Sequence, residues 1–96
     1  MTAKVVWLDQ ARDELRTILD YLYPRNPVAA LAYVHEVEEA CSKLADFPLQ
    51  GRRYDERYRA IVIRNHLAFY RYDEVRDMVV IVTIIDGRRD IPSILD

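Results

Sequence analysis

Hydrophobic and polar positions along this chain fall into two regimes. Through Leu44 the apolar residues recur at intervals of three and four, and from residue 59 onward they alternate or run together. The first spacing marks helices with one buried stripe, the second marks strands. A short β-prone piece at residues 4–8, containing Val5, Val6 and Trp7, stands ahead of both. Asp9 then offers an acceptor for the open amides of a helix start, and Ala11, Leu15, Ile18, Leu19 and Leu22 keep helical spacing. Pro24 stops that helix, because proline lacks an amide donor and its predecessor avoids helical angles. Asn26 and Pro27 punctuate the start of a second helix, whose stripe is Ala30, Val34, Val37, Cys41 and Leu44, flanked by Leu31, Tyr33 and Ala45. Pro48 ends it. With only Pro24 and Arg25 between them, the helices fold back as an antiparallel hairpin.

The strand regime begins at residues 59–64, with Ile61 and Ile63 on one side. Asn65-His66 fits a tight turn, since asparagine tolerates left-handed angles. Residues 67–73 alternate Leu67, Phe69 and Arg71 against Ala68, Tyr70 and Tyr72, and a polar loop leads to residues 78–86. These three strands predict an antiparallel meander, with residues 4–8 adding beside the last one. That last strand does not alternate. Val79, Ile81 and Ile85 fall on one side, and Val80, Val82 and Ile84 on the other, so both faces need covering. A chain of 96 residues has little material for a second cover, so either its own ends close the back of this strand or a partner does. The expectation is one α+β domain over residues 1–96. In it a short N-terminal strand and a two-helix hairpin pack on a three- to four-stranded antiparallel sheet.

Composition changes this picture only in part. An apolar fraction of 51% and a charged fraction of 31% suit a folded soluble domain. A formal net charge of −2 gives no global drive onto nucleic acid, and no direct specific DNA binding is expected. The basic residues are uneven, however. After residue 48 every one is arginine, and several bracket turns: Arg52, Arg53, Arg59, Arg88 and Arg89. The planar guanidinium grips phosphate or carboxylate with two bonds. In a meander these five could converge on one rim of the sheet and contact a target. Alternatively they pair with Asp55, Glu56, Asp86 and Asp90. The tyrosines among them, Tyr54, Tyr58, Tyr70 and Tyr72, could stack bases or pack across strands.

Other chemistry is thin. Cys41 is the lone cysteine, on the apolar stripe of the second helix, which points to an inert thiol in a reducing, cytoplasmic compartment. His35 lies six residues from it, off that face, so a cysteine–histidine nucleophile is disfavoured. Gly51 and Gly87 are the only glycines, too few for a phosphate loop. No metal-ligand spacing is present and no cofactor is implied. No apolar run suits a signal peptide or a membrane span.

Several segments together resemble a known family. They are Asp13-Glu14-Leu15 with Ile18, Tyr21-Leu22, Ala29-Ala30, the run from Leu44 through Phe47-Pro48-Leu49-Gln50-Gly51-Arg52, Tyr70-Arg71-Tyr72, and Ile84-Ile85-Asp86-Gly87-Arg88-Arg89-Asp90. Across nearly the whole chain this is similar to the RelE/ParE superfamily of type II toxin–antitoxin toxins, and most to its ParE branch. The resemblance implies two helices on a twisted antiparallel sheet. It also implies a hetero-oligomer with a cognate ParD-like antitoxin that has a DNA-binding ribbon-helix-helix head. ParE-like members poison DNA gyrase, whereas RelE-like members cut messenger RNA on the ribosome using basic residues with a tyrosine or histidine near the C-terminus. Here no tyrosine, histidine or lysine follows Tyr72, and arginine is a poor proton acceptor. The position before Gly87, often histidine in the family, is Asp86.

The leading expectation is therefore a gyrase-binding toxin that works by recognition. Target contacts would come from Arg52, Arg53, Arg59, Arg88 and Arg89 and the tail at 91–96. Antitoxin contacts would come from Leu15, Leu19, Leu22, Val80, Val82 and Ile84. The rival is a ribosome-dependent ribonuclease using Arg52, Arg59 and Arg88 with Tyr70 or Tyr72.

Overall fold

The two regimes separate where their spacing places them. The computed structural model describes residues 2–87. In chain order these form β1 (Lys4–Trp7), α1 (Asp9–Leu22), α2 (Pro27–Ser42), a 3-10 turn at Lys43–Ala45, β2 (Arg52–Arg53), β3 (Arg59–Ile63), β4 (His66–Asp73) and β5 (Met78–Asp86). The strands make one sheet of order β1-β5-β4-β3-β2. β3, β4 and β5 are the meander, β2 adds a fifth strand at its free edge, and β1 runs parallel to β5. β5 is thus interior, as expected of a strand apolar on both sides.

Local chemistry explains most boundaries. Asn26 accepts the Ala29 amide at 3.1 Å and Pro27 fills the first turn of α2, where its missing N–H is not needed. Asp9 does not cap α1. Leu8 holds the cap position without a side-chain bond, and Asp9 is the first helical residue, near the positive end of the helix dipole. The β3–β4 turn sits one residue earlier than expected. Ile63 pairs with His66, so Arg64 and Asn65 form the loop, and Arg64, not the asparagine, takes the left-handed angle at φ 56°.

One irregularity reorganises the sheet. Phe69 pairs with Thr83 but Tyr70 pairs with Ile81, so Val82 is an extra residue bulged out of β5. The bulge inverts the side-chain alternation beyond it. Val79, Ile81 and Ile84 all join the core under the helices, with Ala11, Leu15, Tyr33, Val37, Cys41, Leu44 and Tyr70. Val80 and Ile85 fall on the other face, in register with Arg71 and Leu67, and are buried there. The expected grouping of Val80, Val82 and Ile84 on one face is therefore wrong past the bulge. Val79–Ile81 and Thr83–Ile85 are buried on both faces of the strand, and Val82 at the bulge is half-buried.

The bulge also leaves an edge to satisfy. β1 stops pairing at Trp7 opposite Ile81, and beyond it the β5 edge meets α1. There the Glu14 carboxylate accepts the Ile84 amide at 3.0 Å and the hydroxyl of fully buried Thr83 at 2.7 and 2.9 Å. A helix side chain supplies the acceptor that a longer β1 would have provided.

Candidate functional site

The chain from the 3-10 turn to β3 shows why the Phe-Pro-x-x-Gly-Arg sequence takes its form. Tyr70, fully buried on β4, donates its hydroxyl to the Pro48 carbonyl at 2.7 Å and accepts the Gly51 amide at 2.8 Å. A Cβ at position 51 would lie 2.5 Å from the Tyr70 ring, so only glycine fits against it. From the next strand the Arg59 guanidinium donates to the Leu49 and Gly51 carbonyls at 3.3 and 3.0 Å. Burial raises the Tyr70 phenol above its ordinary pKa, with the Gly51 bond and Arg59 pulling the other way. Tyr70 is therefore a neutral strut with its hydroxyl engaged on both sides. The other candidate, Tyr72, donates to the Asp77 carboxylate at 2.5 Å.

The expected convergence of five arginines on one rim can be followed only as far as Gly87, because Arg88 and Arg89 lie outside the described residues. In the meander β3 and β5 run in the same direction, and Arg59 stands in register with Tyr70 and Ile81 in mid-sheet. The end of β5 lies instead beside the end of β3. Gly87 donates to the Asn65 carbonyl at 2.9 Å in the β3–β4 turn. Four residues of strand, about 13 Å at roughly 3.3 Å per residue, separate the two levels. Arg52, Arg53 and Arg59 thus cluster at β2 and the start of β3, while the chain enters Arg88 and Arg89, which lie outside the described residues, from the other end. The alternative expectation was pairing with acids nearby. Among the described residues the ion pairs are His35–Glu39, Arg64–Glu36 and Arg76–Asp73. Asp55 is committed elsewhere: it accepts the Arg57 and Tyr58 amides at 2.8 Å each, and these bonds hold its carboxyl below the usual range. Arg53 faces Arg59 directly across the β2–β3 pair, an arrangement that costs energy unless each charge is offset. Backbone carbonyls do this for both, Asp55 serving Arg53 at 3.2 Å. Among the described residues no carboxylate forms an ion pair with Arg52, Arg53 or Arg59, and Asp55 meets Arg53 only as a nearby charge.

A second feature forms at the opposite end. Where the α1–α2 junction overhangs the β3–β4 turn, a groove of about 620 Å³ opens. Ile18, Leu22, Ala29 and Ala30 give it an apolar floor, and Arg25 and Arg64 stand on its rim. Arg25 lies 3.9 Å over the Tyr21 ring and donates to that residue's carbonyl at 2.5 Å, while Arg64 lies 5.4 Å over Tyr33 and pairs with Glu36 at 2.9 Å. Within the groove Tyr33 donates to the Ile63 carbonyl at 3.2 Å and also meets His66 Nδ1. Burial pushes the Tyr33 hydroxyl up to about 12; Arg64 opposes the shift, and Glu36 and Asp86 add to it. Tyr33, expected on the flank of the α2 stripe, is instead part of its buried face. The signal for it was its place three residues after Ala30 and four before Val37.

The remaining expected partner-binding residues divide. Leu15 and Leu19 line a separate groove with Trp7 and Val34 on the outer side of the helical hairpin, whereas Leu22 belongs to the groove just described. Val80 and Ile84 are buried on opposite faces of the sheet, and Val82 is half-buried at the bulge. Cys41 is fully buried, and burial, reinforced by the charge of Glu38, pushes its thiol up to about 12. No helix among the described residues is long and apolar enough to cross a membrane.

This architecture can be set beside known proteins. A family model described as the ParE toxin of the type II toxin–antitoxin system parDE matches residues 5–91. This chain belongs to the ParE toxin family. Among solved structures, it is similar to a chain of the chromosomal ParDE system from P. aeruginosa at a TM-score of 0.76 and 20% identity, covering 88% of this chain and 96% of that one. It is also similar to a chain of the RelBE2 toxin–antitoxin complex from Mycobacterium tuberculosis at a TM-score of 0.65 and 21% identity, covering 90% and 99%. No curated protein matches it in sequence. These two likenesses carry the fold; the family assignment rests on the match across residues 5–91, which spans both helices and all five strands of the ParE domain.

Proposed function

We propose that this chain is the toxin of a type II toxin–antitoxin pair in the cytoplasm, that it inhibits DNA gyrase by binding, and that a ParD-like antitoxin neutralises it. The observation that carries the preference for binding over turnover is the commitment of the candidate acid–base groups. Tyr70 is buried with its hydroxyl used twice, and Tyr72 is held by Asp77. Arginine alone can stabilise a phosphorane but does not take a proton. Arg52 and Arg53, exposed and outside any ion pair among the described residues, are the proposed target contacts. Arg59 holds the 49–51 turn and positions them, and Arg88 and Arg89 are proposed as a second contact entered from the far end of the sheet. Leu19 and Leu22 remain the proposed antitoxin contacts, since Leu15, like Val80 and Ile84, is buried in the core.

The RelE-like ribonuclease reading draws on the similarity to the RelBE2 chain. Purified toxin incubated with gyrase and relaxed plasmid separates the two. Lost supercoiling or trapped cleavage supports the binding toxin. Untouched gyrase, with transcripts cut in a translation extract, overturns it in favour of the ribonuclease.

A further inference from the structure

Phe69, Val80 and Ile85 lie outside the core cluster beneath the helices, on the other face of the sheet, yet they are only 1%, 2% and 3% exposed. A sheet face open to water would leave such side chains wet. These values are those of a single chain, so the chain itself supplies the cover. Among the described residues Tyr54 reaches this side, edge on to the Phe69 ring at 5.4 Å, while both helices pack on the opposite one. The start of the chain is engaged elsewhere: Ala3 joins the core under the helices and donates its amide to the Ala45 carbonyl at 2.7 Å. The cover is also narrow. Ile85, Leu67 and Val62 stand in one row across three strands, and exposure climbs along it from 3% at Ile85 to 72% at Val62. A strip laid over β5 and β4 fits that gradient, and a broad protein surface does not.

We infer that the C-terminal segment, residues 88–96, folds back over this face as a strap, with Ile91, Ile94 and Leu95 against Phe69, Val80 and Ile85. The chain leaves β5 on the side this requires: a Cβ at Gly87 would lie 3.8 Å from the side chain of Leu67, which is in register with Ile85. A segment of this length reaches roughly 30 Å when extended, and Val80 lies only about 16 Å back along β5 from Ile85 at roughly 3.3 Å per residue. Ile91, Ile94 and Leu95 supply aliphatic side chains, and Pro92 lacks an amide, which suits a segment lying across a face better than one extending the ladder. A strap is not a free arm. Any target that takes the apolar residues at 91–96 must first lift it and uncover Phe69, Val80 and Ile85.

The test uses the full chain, isotope-labelled, at a concentration where sedimentation shows a monomer. Nuclear Overhauser contacts are expected from the Ile91, Ile94 or Leu95 methyls to the Phe69 ring and to the Val80 and Ile85 methyls. Tail methyls at random-coil shifts without such contacts overturn the strap. Contacts that appear only between labelled and unlabelled copies show that a second chain is the cover, which overturns it too. Ile94→Asp combined with Leu95→Asp should lower Tm by about 5 °C or more and raise the binding of a hydrophobic dye. Val75→Asp, at a loop position 95% exposed, should change neither. An unchanged melt and dye signal in the double variant overturns the strap as well, and if that variant fails to fold, the contacts in the native chain decide.

Discussion

Replacing Tyr70 with phenylalanine keeps the ring that packs in the core and removes only the hydroxyl. In the native chain that hydroxyl joins two groups: it accepts the Gly51 amide at 2.8 Å and donates to the Pro48 carbonyl at 2.7 Å. Gly51 is buried, so its amide loses its partner without gaining water, which costs about 1–3 kcal/mol. Pro48 is half-buried and its carbonyl can recruit solvent, adding on the order of 0.5 kcal/mol. The expected loss is about 2–3 kcal/mol, which for a domain of this size lowers Tm by roughly 10–20 °C. Urea denaturation followed by circular dichroism measures it, and hydrogen exchange at the Gly51 amide reports the cause. Below its own transition Tyr70→Phe should remain a functional toxin, because the hydroxyl positions a turn and touches no substrate. A variant within 0.5 kcal/mol of wild type that has nonetheless lost toxicity would refute this reasoning and restore Tyr70 as a reacting group.

Glu14→Ala should cost about 2 kcal/mol, since it strips a charged acceptor from Thr83 and from the Ile84 amide. Exchange at Ile84 should accelerate, and unchanged protection there would contradict the role assigned to Glu14. Cys41 should resist a thiol reagent in the native state and react only on unfolding, given its burial and a thiol pKa of about 12; prompt labelling of folded protein would be inconsistent. Stability should fall as pH rises between about 10 and 12. Over that window an unfolded Tyr33 has lost its proton while the folded one keeps it, so the folded state binds more protons and the slope is negative, with no effect below. Tyr33→Phe should flatten this slope by up to about 2–3 kcal/mol across the window, and an identical slope in both proteins would count against it.

The helical half was readable because its punctuation is chemical: Asn26 and Pro27 start α2, and Pro24 follows directly on α1, whereas α2 stops at Ser42 and a 3-10 turn at Lys43–Ala45, not Pro48, closes it. The sheet was readable as a set of strands but not in its facing. In Met78–Asp86 nearly every side chain is apolar, so inserting one residue at Val82 changes no polarity pattern that could betray it. Thr83 was the available hint, a hydroxyl in a greasy run that needs an acceptor, and Glu14 provides one from 69 residues away in sequence. The arginines were hard to place for a different reason: β3 and β5 run in the same direction, which puts the end of β5 beside the end of β3 and away from Arg59. Tyr70 shows the limit of motif reading. A tyrosine beside Arg71 and across from Arg59 looks like chemistry until its hydroxyl is found holding Pro48 and Gly51.

Recognition without turnover is tested most directly by stoichiometry. Gyrase at fixed concentration is titrated with pure toxin, and message integrity is followed in a translation extract over the same range. Inhibition that saturates near equimolar toxin, with transcripts intact, is the predicted result. Transcripts destroyed at toxin levels far below the ribosome concentration, with gyrase unaffected, would contradict it.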